Sequence, residues 1–206
     1  MTKALGIDLD GTIIDIGPQL HRDIFIKSVS KYINISKEFH DKYLKSLSTK
    51  QKLEILNKKL NLPKNLNQKI WNEKQEITAG ELAKLISFDE KICDIFSELS
   101  LNVALYVCTN SIRKTTKTIL KKLNILDFLT GVICSDDVAN PKPAPDMYNI
   151  LTTTHGARNV AVVEDSETGV AAALAAQCHI FKVKNSSEFK SQDFQNKIKS
   201  WIKNND

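Results

Sequence analysis

Gly6-Ile7-Asp8-Leu9-Asp10-Gly11-Thr12 is the stretch whose reading decides the fold. Ala4 to Leu9 is apolar apart from Asp8, the pattern of a short strand buried on both faces. Asp10 follows two residues later, and then Gly11, which lets the chain turn sharply. A carboxylate at the end of an apolar strand is costly unless something neutralises it. Two carboxylates this close raise each other's pKa unless a cation lies between them. An Asx-turn or helix cap after a strand is the bland reading of the same residues, and the rest of the chain decides between the two.

Outward from this stretch, the texture changes. From about 16 to 86 glycine nearly vanishes and helical periodicity takes over. Leu20, Ile24, Phe25, Val29 and Tyr32 form one stripe; Phe39, Tyr43, Leu44 and Leu47 a second; Leu53, Leu56 and Leu60 a third; Ile70, Trp71, Ile77, Leu82 and Leu85 a fourth. Asn61-Leu62-Pro63 separates the third from the fourth. This predicts a small helical bundle inserted after the first strand. Beyond it, strands and helices alternate: a helix from Phe88, a strand over Val103–Cys108, a helix from Ser111, a strand over Gly131–Cys134, a helix over Asp146–Thr154, a strand over Val160–Val163, a helix over Thr168–Ala176, a strand over His179–Val183 and a C-terminal helix. Such alternation predicts an α/β fold with a doubly wound parallel sheet and right-handed crossovers. The expected division is a core of 1–15 and 87–206 and a helical insert of 16–86.

Ligands bind beyond the carboxyl ends of the strands in such sheets, and the polar groups fall there. Asp8 and Asp10 follow the first strand, Thr109 and Asn110 the next core strand, Lys142 lies in the loop after the third, and Glu164-Asp165 follow the fourth. Asp8, Asp10 and Asp165, with Glu164 beside them, form an oxygen-rich set suited to Mg²⁺. Lys142 supplies a fixed positive charge and Thr109 a hydroxyl. The N–H groups of Asn110 and Ser111 are expected to open a helix whose N-terminus favours an anion. A carboxylate can attack phosphorus to form an aspartyl-phosphate, and a second can protonate the leaving oxygen and later activate water. The inventory therefore points to phosphoryl transfer.

The 206 residues suit one domain, or one with an insertion. The net charge of +5 comes mostly from scattered lysines, with no basic stripe interleaved with aromatics, so nucleic acid is not an expected partner. Cys93, Cys108, Cys134 and Cys178 lie far apart in apolar contexts and read as free thiols in a reducing compartment, hence a cytoplasmic expectation. No apolar run approaches a membrane span, so no membrane association is expected, and no obligatory protein partner is evident.

With these residues in order, the chain resembles the haloacid-dehalogenase superfamily, within it the phosphatases and phosphomutases that carry a helical cap. The D-x-D-G-T motif matches Asp8, Asp10, Gly11 and Thr12; the Ser/Thr motif matches Thr109; the lysine motif matches Lys142 in Lys-Pro-Ala-Pro-Asp-Met-Tyr; the acidic motif matches Glu164-Asp165-Ser166-Glu167-Thr168-Gly169. The resemblance implies Asp8 as nucleophile and Asp10 as general acid/base. It implies Asp8, the Asp10 main-chain carbonyl and Asp165 as Mg²⁺ ligands, with Glu164 at one remove. Thr109, Lys142 and Asn110 would hold the phosphoryl group, and the insert would close over the site. The cap segment Leu44-Lys45-Ser46-Leu47-Ser48-Thr49-Lys50 resembles the cap loop of beta-phosphoglucomutase and related sugar-phosphate enzymes, with Thr49 and Lys50 near the place of a phosphate-gripping arginine. Lys45, Lys50 and Lys52 are candidates for substrate contact, and His21 lies close to a histidine of the mutases. The missing arginine favours a phosphatase acting on a small phosphorylated metabolite over a sugar phosphomutase. A catalytically silent binding module is the alternative from a different class.

Overall fold

The structure, a computed structural model, describes residues 2–45 and 47–204, with the backbone alone at Pro18. The chain divides into two compact units, Met1–Asp15 with Ile86–Asp206, and Ile16–Leu85.

The first unit is built on five parallel strands, β1 (Ala4–Ile7), β2 (Ala104–Thr109), β3 (Gly131–Cys134), β4 (Val160–Glu164) and β5 (His179–Lys182), in the order β3-β2-β1-β4-β5. Every residue of β1 and β4 is buried, as their unbroken apolar runs require. The chain leaves β1 toward β2 and β3 and later returns to its other side as β4. β1 is therefore the point where the strand order reverses and a crevice opens at the carboxyl ends. Register places Ile7 level with both Val107 and Val163, so the residues that follow all three strands come together.

Among the described residues the α-helices that accompany this sheet are α5 (Glu90–Ser100), α6 (Arg113–Lys122), α7 (Asp146–His155), α8 (Glu167–Ala175), α9 (Ser186–Phe189) and α10 (Gln192–Lys203), the earlier helices belonging to the other unit. One core cluster joins Met147, Tyr148 and Leu151 of α7 and the small residues Ala172 and Ala173 of α8 to Val160 and Val162 of β4. The chain segments at either end of the insertion are tied to the short α9. Asp15 accepts from Ser186 N–H at 3.0 Å and Oγ–H at 2.6 Å, and Lys190 Nζ meets Asp89 at 2.9 Å.

The second unit consists of α1 (Pro18–Val29), α2 (Lys37–Tyr43), α3 (Thr49–Lys59) and α4 (Asn67–Leu85). Their apolar stripes converge on a core of Phe25, Val29, Leu44, Leu53, Leu56, Leu62 and Ile70. Ser48 and Gln51 form a capping box that starts α3. Asn61, at φ 53°, carries the chain out of it. Ser46, part of the segment singled out above, lies outside the described residues. Among the described residues no helix is long and apolar enough to cross a membrane.

Candidate active site

β1 ends at Ile7, so Asp8 and Asp10 both stand beyond the strand, in the turn that Gly11 completes at φ 89°. The turn is closed by Gly11 N–H donating to the Ile14 carbonyl at 2.6 Å. Asp8 is 8% exposed and its N–H donates to Val163 O at 3.0 Å, locking it to the end of β4. Glu164, the last residue of β4, is fully enclosed.

Lys142 joins these acids. Its Nζ donates to Asp8 Oδ1 at 2.8 Å, Glu164 Oε1 at 2.5 Å and the Cys108 carbonyl at 2.6 Å. The other Glu164 bonds come from Tyr148 Oη–H to Oε1 at 2.6 Å and Ser166 Oγ–H to Oε2 at 3.1 Å. Both oxygens of Glu164 are thus engaged, Oε1 by Lys142 and Tyr148 and Oε2 by Ser166. Burial alone would lower the Lys142 pKa, but Asp8 and Glu164 raise it above its ordinary value and keep the amine charged. Burial raises the Asp8 carboxyl to about 7 despite the opposing pull of Lys142, with Glu164 and Asp165 adding to the rise. Asp165 is raised by burial, then by Glu164 and Asp10. The nearby Cys108 thiol, pushed up to about 12 by burial, is no thiolate nucleophile.

Two glycines allow the carboxylates to crowd together. A Cβ on Gly11 would strike the Asp165 carboxylate, and one on Gly169 would strike that of Glu164. Asp8, Glu164 and Asp165 each offer an oxygen within 4.8 Å of the others. Asp165 Oδ1 and Thr12 Oγ1 are buried without a hydrogen-bond partner among the described residues. Four carboxylates, counting Asp10, thus share this turn region with one ammonium, and one buried carboxylate oxygen lacks a donor. That donor set fits a hard divalent cation such as Mg²⁺. The grouping of Cys134, Asp136 and Asp137 is of another kind. There Asp137 pairs with Arg113 and accepts from Cys134 N–H at 2.7 Å, while Asp136 Oδ1 accepts from Arg113 N–H at 2.9 Å.

That last bond corrects an expectation. α6 begins at Arg113 rather than Ser111, because Asp136 from the loop after β3 supplies its cap. Ser111 N–H donates to Thr109 Oγ1 at 3.1 Å and opens no helix. Asn110 is spent on the lysine loop: its Nδ2 donates to Lys142 O at 2.9 Å and its Oδ1 accepts from Lys142 N–H at 3.0 Å. Thr109 is buried at the end of β2. Lys50 lies in the helical unit, exposed, on an open cleft of about 410 Å³ shared with Leu53, Glu54, Asn67, Gln68 and Trp71. Lys45 is exposed as well, whereas Lys52 is buried.

Residues 7–183 match the model of the haloacid dehalogenase-like hydrolases. The chain belongs to this family. A phosphorylated carbohydrates phosphatase of Thermotoga maritima is 22% identical over 179 residues, spanning 84% of this chain and 81% of that protein. CbbY from Rhodobacter sphaeroides, solved in complex with phosphate, superposes with a TM-score of 0.71 at 21% identity over 88% of this chain and 86% of its own. The beta-phosphoglucomutase of Clostridium difficile does so with a TM-score of 0.73 at 21% identity, over 98% and 97%. These structures share the fold of this haloacid dehalogenase-like hydrolase. The motif residues expected at the strand ends of the first unit are brought together in one place. Sequence reading missed Tyr148 and the bracing part of Asn110. A tyrosine on the apolar face of α7 signals a buried hydroxyl in need of a partner, but the sequence does not name Glu164 as that partner.

Proposed function

We propose that this hydrolase is a Mg²⁺-dependent phosphatase that releases phosphate from a small phosphorylated metabolite, a sugar phosphate or similar, through an aspartyl-phosphate on Asp8. The observation that carries the reading is the Asp8 carboxylate, buried at the end of β1 and gripped at Oδ1 by Lys142. Oδ2 is then the attacking oxygen. It forms a bond to phosphorus as the ester P–O bond breaks, and Asp10 delivers a proton to the departing alkoxide. Water then attacks the acyl phosphate, Asp10 takes its proton, and inorganic phosphate leaves with the Asp8 carboxylate restored. Lys142 holds Oδ1 and offsets negative charge on the phosphoryl oxygens, while Thr109 supplies a hydroxyl at the end of β2. Asn110 keeps the Lys142 backbone in place, and Glu164, fixed by Tyr148 and Ser166, keeps the ammonium there. A Mg²⁺ held by Asp8, Asp165 and the Asp10 carbonyl supplies positive charge against the phosphoryl group.

The helical unit is assigned the part of a substrate-selecting cap. The phosphatase and mutase relatives support a phosphorylated carbohydrate as substrate. A cytoplasmic setting accords with the free thiols Cys93, Cys108, Cys134 and Cys178. The test is phosphate release from sugar phosphates, phosphoglycolate, nucleotides and pyrophosphate, with Mg²⁺ and with chelator. Mg²⁺-dependent release from sugar phosphates is the expected result. Isomerisation of a sugar phosphate that requires an added bisphosphate, with no net release, replaces the phosphatase reading by a mutase.

A further inference from the structure

The apolar stripes of the helical unit meet around Phe25, Leu53 and Leu56, yet two bases are buried beside them. His40 of α2 is 4% exposed and Lys52 of α3 is 8% exposed. Both stand against the Phe25 ring, whose centre lies 6.0 Å from that of the imidazole and 5.0 Å from Lys52 Nζ. The two bases also face each other, with Nζ 3.0 Å from His40 Nε2. Surface cations of the same unit meet carboxylates, Lys27 with Glu81 and Lys31 with Glu73. Lys52 meets an imidazole instead, and no carboxylate among the described residues.

Charged groups reach the ring from three helices. On its own helix, Asp41 Oδ1 lies 3.1 Å from His40 Nδ1. From α1, Arg22 donates to Asp41 Oδ2 at 3.0 Å. From α3 comes Lys52, on which Lys74 of α4 acts in turn. These contacts fix the tautomer: Nδ1–H is donated to Asp41, and the Nε2 lone pair accepts from the Lys52 ammonium. Asp41 favours a charged ring, but it is exposed and shares its charge with Arg22. Burial is the largest influence on the His40 pKa and lowers it; Lys52 and Arg22 push the same way, and Asp41 does not reverse them.

A proton on Nε2 leaves two N–H donors facing each other across 3.0 Å with no acceptor between them. Two positive charges that close repel, and burial withholds the water that would screen them. Lys52 keeps its proton below about pH 8, so its ammonium is in place wherever the ring titrates. The contact therefore ends when the ring is protonated. Both side chains grow from the inner sides of their helices, so parting them loosens the packing of α2 on α3. We propose that the His40–Lys52 pair makes the helical unit acid-labile: α2 and α3 stay packed while the ring is neutral and open locally when it takes a proton. α2 has seven residues, too few to hold a helix without packing, and is the segment that gives way. The unfolded ring takes its proton near pH 6.5 and the packed ring only below it, so the packed state is at full strength above 6.5 and weakens as pH falls from there. The device lies wholly within the helical unit and does not rest on the chemistry assigned to Asp8.

The experiment is native-state hydrogen exchange of the full chain by NMR, read as protection factors at about pH 7.5 and about pH 5.5, either side of the ordinary histidine value. Protection of the α2 and α3 amides in wild type is expected to fall about five- to tenfold between the two, as a midpoint lowered by about one unit or more requires. His40→Gln keeps an acceptor for Lys52 and takes no proton, so its α2 and α3 protection should change less than about twofold. A wild-type fall matched in His40→Gln, or no fall in wild type, overturns the proposal. The ring protons give a second reading on wild type and Lys52→Met that does not depend on His40→Gln folding. The His40 midpoint is expected below about 6.5 in wild type and higher in Lys52→Met. A wild-type midpoint at or above that value, or one unmoved in Lys52→Met, overturns it as well.

Discussion

Replacing Glu164 by glutamine conserves shape and removes one buried negative charge. Glu164 is fully enclosed and takes hydrogen bonds from Lys142 at 2.5 Å, Tyr148 at 2.6 Å and Ser166 at 3.1 Å. Removing one member of a buried ion pair costs about 3–5 kcal/mol, because the remaining charge is stranded. Lys142 is not fully stranded, since Asp8 at 2.8 Å and the Cys108 carbonyl at 2.6 Å remain. Glutamine also still offers one acceptor oxygen, and the Ser166 hydroxyl can rotate to accept from its amide. The expected loss is therefore at the lower end, about 2–3 kcal/mol. Urea unfolding at neutral pH reads this as a fall in midpoint of about 1 M with an unchanged slope. Turnover falls with it, while the Mg²⁺ concentration for half-maximal activity stays put, because the residue anchors Lys142 rather than the metal. A stability change below about 0.5 kcal/mol would refute the energetic reasoning, and a sharply raised Mg²⁺ requirement would make Glu164 a ligand.

The other expectations concern both units. Enclosure lowers the Lys52 pKa from 10.5 to about 8, so Lys52→Met should stabilise the protein at neutral pH by about 2 kcal/mol after allowance for solvent screening. The unfolded chain holds this proton up to 10.5 and the folded one only to about 8. Wild-type stability from this group therefore climbs across that window and the variant's advantage shrinks; an advantage equal at neutral pH and near the top of the window contradicts the shift. Gly169→Ala places a Cβ on the Glu164 carboxylate and should cost about 1–3 kcal/mol, and wild-type unfolding behaviour would show that the two do not crowd. Asp10→Asn should slow both formation and hydrolysis of the aspartyl-phosphate in rapid-quench kinetics, whereas normal rates for both steps remove Asp10 from acid/base duty.

The doubly wound sheet was legible because β1, β2 and β4 are short apolar runs with polar residues immediately after them, and the alternation with helices leaves few ways to connect them. The candidate site was legible for the same reason: Asp8, Thr109, Lys142 and Asp165 each fall where a strand has just ended or in the loop that follows. Their partners were not. Glu164 and Tyr148 meet across 16 residues and Asn110 and Lys142 across 32, and such contacts depend on how loops pack rather than on periodicity. α6 starts late because its cap comes from Asp136, 23 residues away from Arg113. α9 is four residues long and too short to show a helical repeat. Lys52, a candidate for substrate contact on its sequence, is instead buried, one turn before Leu56 on the inner side of α3. Hydrophobic patterning marks such a position as polar and therefore outward, and the packing of His40 and Phe25 against it decides otherwise.

The attacking carboxylate is tested most directly by Mg²⁺-dependent phosphate release from a phosphate monoester, wild type against Asp8→Asn, with unfolding measured on both. Loss of release to the level seen with chelator, in a variant that still unfolds cooperatively, is the result predicted. Release by Asp8→Asn at a rate comparable with wild type would contradict the aspartyl-phosphate route and leave Asp8 as only a partner for Lys142.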